Sequence, residues 1–186
     1  MTRLILCRHA ETGNAAQAKE LGEALAGSPL AAVYSSPLAR ALDTAGAVAV
    51  RHGVTPVEVD DLREIDLGDV DGLSFDAYPS ELQADLLRDP TSVRFPGGES
   101  YGDLKIRVTR ALSELLPRHS GETVAVVTHA GPIRAALGAW LGMPDEATFR
   151  LDQRFAAVNV VDWVEGVPML RLVNGLASAA ALRAAL

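Results

Sequence analysis

The chain of 186 residues contains a single cysteine and no long uninterrupted apolar segment. One cysteine excludes an internal disulfide, which suits a reducing compartment. A membrane-spanning helix requires about 18 or more consecutive apolar residues, and the sequence has no such run. The first residues also lack the basic segment followed by an apolar stretch that is typical of a signal peptide. We therefore expect a cytoplasmic protein that does not engage a membrane.

Basic residues are outnumbered by acidic ones, with 17 Lys and Arg against 24 Asp and Glu and a net charge of −7. A general nucleic-acid binder or a binder of anionic membranes would show the opposite balance. An anionic ligand therefore requires a local basic pocket on an acidic protein. The hydrophobic fraction of 48% is typical of a globular chain, and the length suits one ordinary domain, which we predict to span residues 1–186.

Short apolar, β-branched segments alternate with segments of helical composition. The segments that predict strands are 3–7, 32–35, 57–59, 122–128, 156–164 and 168–173. Those that predict helices are 14–26, 37–50, 80–88, a long segment beginning near Ser100, and 133–141. Residues 60–73 are predicted to form a polar loop, and the alanine-rich tail from Gly175 a helix or a frayed end. The alternation predicts a three-layer α/β fold with a doubly wound, mainly parallel sheet flanked by helices.

Two arginine–histidine pairs occur in different settings. Arg51 and His52 follow a predicted helix and precede Gly53, as at a helix C-terminus, where basic side chains complement the dipole and glycine supplies the left-handed cap. Arg8 and His9 instead follow a predicted strand, and parallel sheets bind ligands beyond the carboxyl ends of their strands. Taken alone, this second pair is explained equally well by a ligand site and by a structural role, either a strand-end salt bridge or a core histidine.

Further cationic or potentially cationic side chains follow two other predicted strands. Arg40 comes shortly after strand 32–35, and His129 comes directly after strand 122–128. If these strands are neighbours of the first, two arginines and two histidines meet in one crevice, and their repulsion requires an anion. Phosphate fits, because its oxygens accept forked guanidinium hydrogen bonds. Metal binding by His9 and His129 is the alternative, but no carboxylate or cysteine set at metal-ligand spacing accompanies them, so we predict no metal.

Five segments resemble motifs of the histidine phosphatase superfamily, which has the phosphoglycerate mutase-like fold. They are, in order, RHAET at 8–12, SPLAR at 36–40, LRE at 62–64 with Gly68, PGGES at 96–100 and THAG at 128–131. Each is weak by itself, but the five occur in the family's order, and the resemblance covers about residues 2–173. The LRE and PGGES loops are most similar to the branch of α-ribazole phosphatases and broad small-molecule phosphatases. Ala10 and Ala130 stand where the family has glycine, and the segment after Asn14 is shorter than in the family, which leaves substrate identity open.

The resemblance implies a phosphomonoesterase that needs neither metal nor cofactor and acts on a small phosphorylated metabolite. His9 would attack phosphorus as a neutral imidazole and form a phosphohistidine, with its pKa lowered by Arg8 and Arg40. These two arginines and a protonated His129 would hold the phosphoryl oxygens. Glu64 would protonate the leaving group and later activate water.

The same resemblance implies substrate contacts from Thr12, Asn14 and Ala130. It alone singles out Glu64, because the residues by themselves do not rank it above its neighbour Asp66. Two other functions stay open: a phosphoglycerate mutase that keeps the phosphoryl group by excluding water, and a phosphate-binding domain without catalysis. We expect a small phosphomonoester as partner and no nucleic acid. The oligomeric state is left open, with a homodimer as one alternative.

Several other chemically capable side chains have structural explanations. Cys7 is expected to be a small buried apolar side chain, and His119 to lie at a helix end. Trp140 and Trp163 are expected in the core rather than in a stacking platform. Arg134, one turn into the helix after the second histidine, would contact either substrate or a carboxylate.

Overall fold

The computed structural model describes residues 1–176. This part of the chain contains six β-strands: β1 (Thr2–Arg8), β2 (Leu30–Ser35), β3 (Val57–Glu58), β4 (Thr123–Thr128), β5 (Val158–Val164) and β6 (Val167–Gly175). It also contains six α-helices: α1 (Ala15–Leu25), α2 (Ala39–Ala49), α3 (Ser80–Arg88), α4 (Tyr101–Arg118), α5 (Ala130–Trp140) and α6 (Asp145–Thr148). Three short 3-10 helices, Asp60–Leu62, Gly68–Val70 and Phe75–Ala77, lie between β3 and α3.

The strands form one sheet in the order β3-β2-β4-β1-β5-β6. The first four strands of that order are mutually parallel, and β5 and β6 complete the sheet with antiparallel pairings. The predicted α/β class with a mainly parallel sheet is confirmed. In the register, Arg8 lies beside Thr128 and Ser35 lies beside Val127. The carboxyl ends of β1, β2 and β4 therefore meet at one edge of the sheet.

Helices cover both faces of this sheet, because its central strands are apolar on both sides. Leu4 and Leu6 of β1 belong to the core cluster that α4 and α5 complete. Ile5 and Cys7 alternate with them and belong to the cluster that α1 and α2 complete. Cys7 is fully buried, and burial raises the pKa of its thiol to about 12, as expected of a buried apolar side chain rather than a nucleophile.

Several boundaries differ from the sequence prediction. Helix α5 begins at Ala130 rather than at residue 133, because Pro132 is tolerated in a first turn, where its missing N–H would have no helical acceptor. The predicted strand at 57–59 is reduced to Val57–Glu58. The sequence gives no periodic signal for α6, which is a single turn. Gly175 ends β6 rather than opening a tail helix, and residues 177–186 of that predicted tail lie outside the described part.

The chain between β3 and α4 packs around a small apolar cluster of its own. This cluster consists of Val70, Leu82, Val93 and Phe95. Helix α4 then begins with a capping box, in which Ser100 Oγ accepts from the Asp103 N–H at 3.2 Å and Asp103 Oδ2 accepts from the Ser100 N–H at 2.8 Å. Glu64 lies near the start of this segment between β3 and α4. Within residues 1–176, no helix has the length and apolarity needed to cross a membrane.

Candidate active site

The side chains predicted from three strand ends come together at the shared edge of the sheet. The imidazole rings of His9 and His129 meet edge to face, with centroids 4.9 Å apart. Arg40, in the first turn of α2, directs its Nε to within 3.3 Å of His9 Nε2. Arg8 interacts electrostatically with both histidines. The parallel pairing of β1, β2 and β4 thus produces the cationic crevice that the sequence suggested.

The ring of His9 is fixed in one tautomer. Its Nδ1 lies 2.7 Å from the carbonyl oxygen of Ala10, and a carbonyl only accepts, so Nδ1 carries the proton. Nε2 therefore keeps its lone pair, and Arg40 Nε donates to it. His9 is 5% exposed, and its pKa is lowered to about 4, first by burial and then by Arg40 and Arg8. Burial, rather than the two arginines stressed from sequence, is the main reason why His9 is neutral.

His129 is fully buried at the start of α5. Its Nε2 lies 2.8 Å from the hydroxyl of Ser36, which in turn accepts from the Leu38 N–H at 3.3 Å. Burial above all, and then His9 and the nearby arginines, lower the pKa of His129 to about 3. This direction of the shift opposes the protonated His129 expected from sequence, because a buried imidazolium needs a compensating negative charge, and its protonation beside a phosphoryl group stays a prediction.

Arg8 is held from two sides but keeps a free donor. One Nη donates to the carbonyl of Gln153, and the guanidinium carbon lies 3.8 Å from the centre of the Phe155 ring. Burial lowers the pKa of Arg8, and the Glu64 carboxylate opposes that shift. Arg8 Nε and His129 Nδ1 are both buried without a hydrogen-bond partner in the described part of the chain. A buried donor is normally paired, so both nitrogens are available as donors to an anion beside His9.

Glu64 lies against the N-terminus of α5. Its Oε1 accepts from the Ile65 N–H at 3.0 Å, and its Oε2 accepts from the Gly131 N–H at 3.3 Å. A β-carbon on Gly131 would lie 2.2 Å from Oε1, so glycine is needed for this approach. Asp66, which the sequence alone ranked equally, is exposed and caps a local turn through the Gly68 N–H. The two carboxylates therefore differ in their surroundings: that of Glu64 contacts α5, and that of Asp66 contacts only its own loop among the hydrogen bonds of the described chain.

The three predicted substrate-contact residues lie around the crevice in different settings. Asn14 caps α1, with its side-chain oxygen accepting from the Gln17 N–H at 3.1 Å. Thr12 is exposed in the loop after His9 and, with Asn14 and Arg40, lines an open groove of about 420 Å³ between α1 and α2. Ala130 is buried as the first residue of α5. Their contacts with a substrate stay predictions.

The two alanines that replace family glycines cause no backbone strain. Neither Ala10 nor Ala130 has the positive φ that would favour glycine. The loop that follows His9 instead places its positive φ at Gly13, where glycine is present. The substitutions are therefore compatible with an intact site.

Three features of the site carry no recognisable sequence signal or only a weak one. Ser36 begins the SPLAR motif and directly follows β2. This position at a strand end is the only sequence feature that indicates its contact with His129. Phe155 is an ordinary apolar residue in the sequence, yet it stacks on Arg8 and its ring centre lies 5.6 Å from that of His9. Arg107, in α4, donates to the backbone that carries Glu64.

The remaining candidates lie in structural settings. Arg51 pairs with Glu23 at 3.0 Å beyond the end of α2, and Gly53 has a φ of 65°, as predicted for a helix terminus. Arg134 donates to the Leu151 carbonyl at 2.7 Å rather than to a carboxylate. It also acts electrostatically on Arg8, so its contact with a substrate stays a prediction. His119 caps α4 and contacts the Tyr34 hydroxyl at 2.8 Å.

Trp140 and Trp163 pack edge to face with centroids 5.5 Å apart, against the core cluster on the α4 and α5 side. This agrees with a packing role rather than a stacking platform. In residues 1–176, no three His, Cys, Asp or Glu side chains are grouped in a way that could hold a metal ion.

The fold and the crevice together define an α/β protein with two histidines and two arginines at one edge of a mainly parallel sheet. Residues 4–175 match the histidine phosphatase superfamily (branch 1), and the chain belongs to this superfamily. The resemblance inferred from the five motifs is thereby confirmed.

Similar proteins include both phosphatases and longer chains. The bifunctional protein Rv2228c of Mycobacterium tuberculosis is 35% identical over 93% of this chain and 54% of its own length. Phosphoserine phosphatase 1 of Hydrogenobacter thermophilus is 34% identical over 77% of this chain and 78% of its own. The solved structure of Bacillus stearothermophilus YhfR superposes with a TM-score of 0.87 at 26% identity, covering 95% of this chain and 98% of that one. This chain spans about half the length of the mycobacterial relatives.

Proposed function

We propose that the protein is a metal-independent phosphomonoesterase that acts on a small phosphorylated metabolite through a phosphohistidine. The observation that carries the proposal is the state of His9: a neutral ring with its lone pair on Nε2, beside the two buried unpaired nitrogens of Arg8 and His129. A neutral imidazole is a competent nucleophile, and unpaired donors around it suit a phosphoryl group. Similarity to phosphoserine phosphatase 1 supports the same class of reaction.

In the first step, His9 Nε2 forms a bond to phosphorus as the bond from phosphorus to the ester oxygen breaks. The leaving oxygen takes a proton from the carboxyl group of Glu64. In the second step, the Glu64 carboxylate accepts a proton from water while the water oxygen bonds to phosphorus, and the bond to His9 breaks. The products are the free alcohol and inorganic phosphate, and His9 and Glu64 return to their starting states.

The charge on the transferring phosphoryl group is spread over three oxygens, so its stabilisation depends on donors already in position. Arg8 Nε and His129 Nδ1 are buried unpaired nitrogens of the crevice, and Arg40 already reaches His9 Nε2. The Ser36 hydroxyl accepts from the Leu38 N–H, which favours donation of its own proton to His129 Nε2. The ring proton of His129 then lies on Nδ1, where even the neutral ring donates to a phosphoryl oxygen.

Arg40, which contacts His9, also lines the open groove with Thr12 and Asn14. Water in that groove supports hydrolysis over a mutase reaction, because a mutase must keep water away from its phosphohistidine. We propose a small phosphorylated metabolite, and phosphoserine and α-ribazole phosphate are the first compounds to test. A cytoplasmic location agrees with a substrate of this kind.

The test uses 4-nitrophenyl phosphate with a chelator, and 3-phosphoglycerate in a separate reaction. We expect phosphate release in the first and no isomerisation in the second. The His9→Ala variant should lose turnover and trap no labelled phosphate, whereas His52→Ala, in the other arginine–histidine pair, should retain both. Isomerisation without phosphate release would indicate a mutase, and inactivity of the wild type in both reactions a binding domain. A His9→Ala protein that still traps phosphate would refute the assignment of the nucleophile.

A further inference from the structure

Arg107 of α4 is bonded to the backbone of the segment that carries Glu64. Its Nη1 donates to the carbonyls of Asp61 at 2.7 Å and Arg63 at 2.8 Å, and its Nη2 donates to the carbonyl of Glu64 itself at 3.0 Å. One guanidinium therefore ties three carbonyls of a four-residue segment to a long helix. This segment leaves the sheet after β3 and has no ladder of its own to fix it.

Glu99, from the PGGES segment, completes the arrangement. Its carboxylate accepts from Arg107 Nε at 3.0 Å and also pairs with Nη2. The same carboxylate accepts from the Asp66 N–H at 2.9 Å, and the Glu99 N–H donates to the Asp66 carbonyl at 3.0 Å. Arg107 and Glu99 thus hold the backbone on both sides of Glu64.

Both charged side chains are largely withdrawn from water, with 15% of Arg107 and 16% of Glu99 exposed. A buried pair of this kind is poor evidence for stability, because its desolvation offsets much of the attraction. It is better explained by the geometry it fixes: a planar guanidinium with several donors holds carbonyls in set directions, which a lysine does not.

We propose that Arg107 and Glu99 are positioning residues for Glu64, holding its carboxyl group where it protonates the leaving oxygen. This inference rests on the proposed function. It assigns neither residue to the phosphoryl group or to His9. Its consequence is specific: loss of the pair slows the proton-dependent part of the reaction more than it slows attack by His9, although Arg107 also acts electrostatically on His129.

The leaving group distinguishes these two parts of the reaction. 4-Nitrophenolate departs without a proton, whereas the alkoxide of an alkyl phosphate such as glycerol 3-phosphate needs one. The quantity to measure is kcat/KM for the alkyl ester divided by kcat/KM for the aryl ester, because kcat/KM reports formation of the phosphohistidine. Any unfolded fraction lowers both values equally, so the ratio in one preparation is insensitive to loss of stability.

Glu64→Gln supplies the reference, with an expected fall in this ratio of about 100-fold or more. We expect Arg107→Gln to lower the ratio about 10- to 100-fold, as for a catalytic group displaced by a fraction of an ångström to 1 Å. Arg107→Lys and Glu99→Gln should lower it less, because the first keeps a charge and the second keeps an acceptor for the Asp66 N–H. Arg110→Gln is the matched control, since Arg110 pairs with Asp61 Oδ2 at 2.7 Å but is 61% exposed, and its ratio should not change.

An Arg107→Gln protein with an unchanged ratio, whether or not both activities fall, would overturn the positioning role and leave the proposed function standing. An unchanged ratio in Glu64→Gln would overturn both the acid and its positioning pair. A wild type that hydrolyses the aryl ester but none of glycerol 3-phosphate, phosphoserine and α-ribazole phosphate would do the same, because no acid then assists departure. A wild type that hydrolyses neither ester would overturn the proposed function and this inference with it.

Discussion

Gly131 is the position where one added methyl group tests the placement of Glu64. In Gly131→Ala, the new β-carbon would lie 2.2 Å from Glu64 Oε1 and 3.2 Å from Cδ, whereas ordinary contacts begin at 3.4 Å. The carboxylate must therefore retreat by about 1 Å, and a displacement of that size costs a catalytic group about 100-fold. The displaced atom is the end of a flexible side chain, and alanine is favoured over glycine in a helix by about 0.5–1 kcal/mol. We expect activity to fall while stability is kept.

The assay is again kcat/KM on glycerol 3-phosphate and on 4-nitrophenyl phosphate, together with thermal unfolding. For Gly131→Ala we expect the alkyl-ester value to fall about 100-fold, the aryl-ester value to change much less, and Tm not to decrease. The control is Gly46→Ala, within α2, where an added β-carbon has nothing within 4 Å. It should change neither activity. If Gly131→Ala retained the wild-type ratio, the approach of Glu64 to α5 would have no part in catalysis.

Two further predictions concern the histidines. The native pKa values of His9 and His129, about 4 and about 3, lie below the unfolded value of about 6.5. At a pH between the native and unfolded values, the unfolded state therefore binds more protons than the native state. Each ring's contribution to the free energy of unfolding is therefore complete above about pH 6.5. It falls by about 1.4 kcal/mol per pH unit as the pH is lowered towards 4. Denaturant unfolding in phosphate-free buffer should show a shallower fall for a variant with both histidines changed to glutamine, and parallel curves would contradict this. Ser36→Ala should lower kcat/KM on both esters about 10-fold, because His129 loses the hydroxyl that orients it, as for a residue that orients a catalytic ring. The control is Ser35→Ala, because the Ser35 hydroxyl donates to the Ser36 carbonyl and has no hydrogen bond to His129 in the described part of the chain. Equal activity of the wild type and Ser36→Ala would refute the orienting role of Ser36.

The strands were predictable because their signal is local. Apolar β-branched segments such as ETVAVVT at 122–128 cannot be solvated along their length, so they mark buried strands wherever they occur. Boundaries were less predictable, as the start of α5 at Ala130 shows. There, proline suggested a later start, although a first turn tolerates it.

The cationic crevice was predictable for a topological reason. Arg8, His9 and His129 directly follow strands, Arg40 follows shortly after one, and parallel strands deliver such residues to one edge. The order of the strands was not available from sequence, and another order would have separated these four side chains. Their roles in catalysis stay predictions, whereas their proximity is a property of the fold.

The sequence by itself therefore determined the α/β class, the family and the residue types that can bind phosphate, because hydrophobic periodicity and motifs depend only on residues close together in the chain. Tertiary structure alone placed the Glu64 carboxylate at the N-terminus of α5 and left Asp66 exposed in a local turn. It also decided that burial is the main cause of the lowered pKa values of His9 and His129, because that burial is produced by segments distant in the chain. The stacking of Phe155 on Arg8 has the same origin: it joins residues about 150 positions apart that share no local pattern.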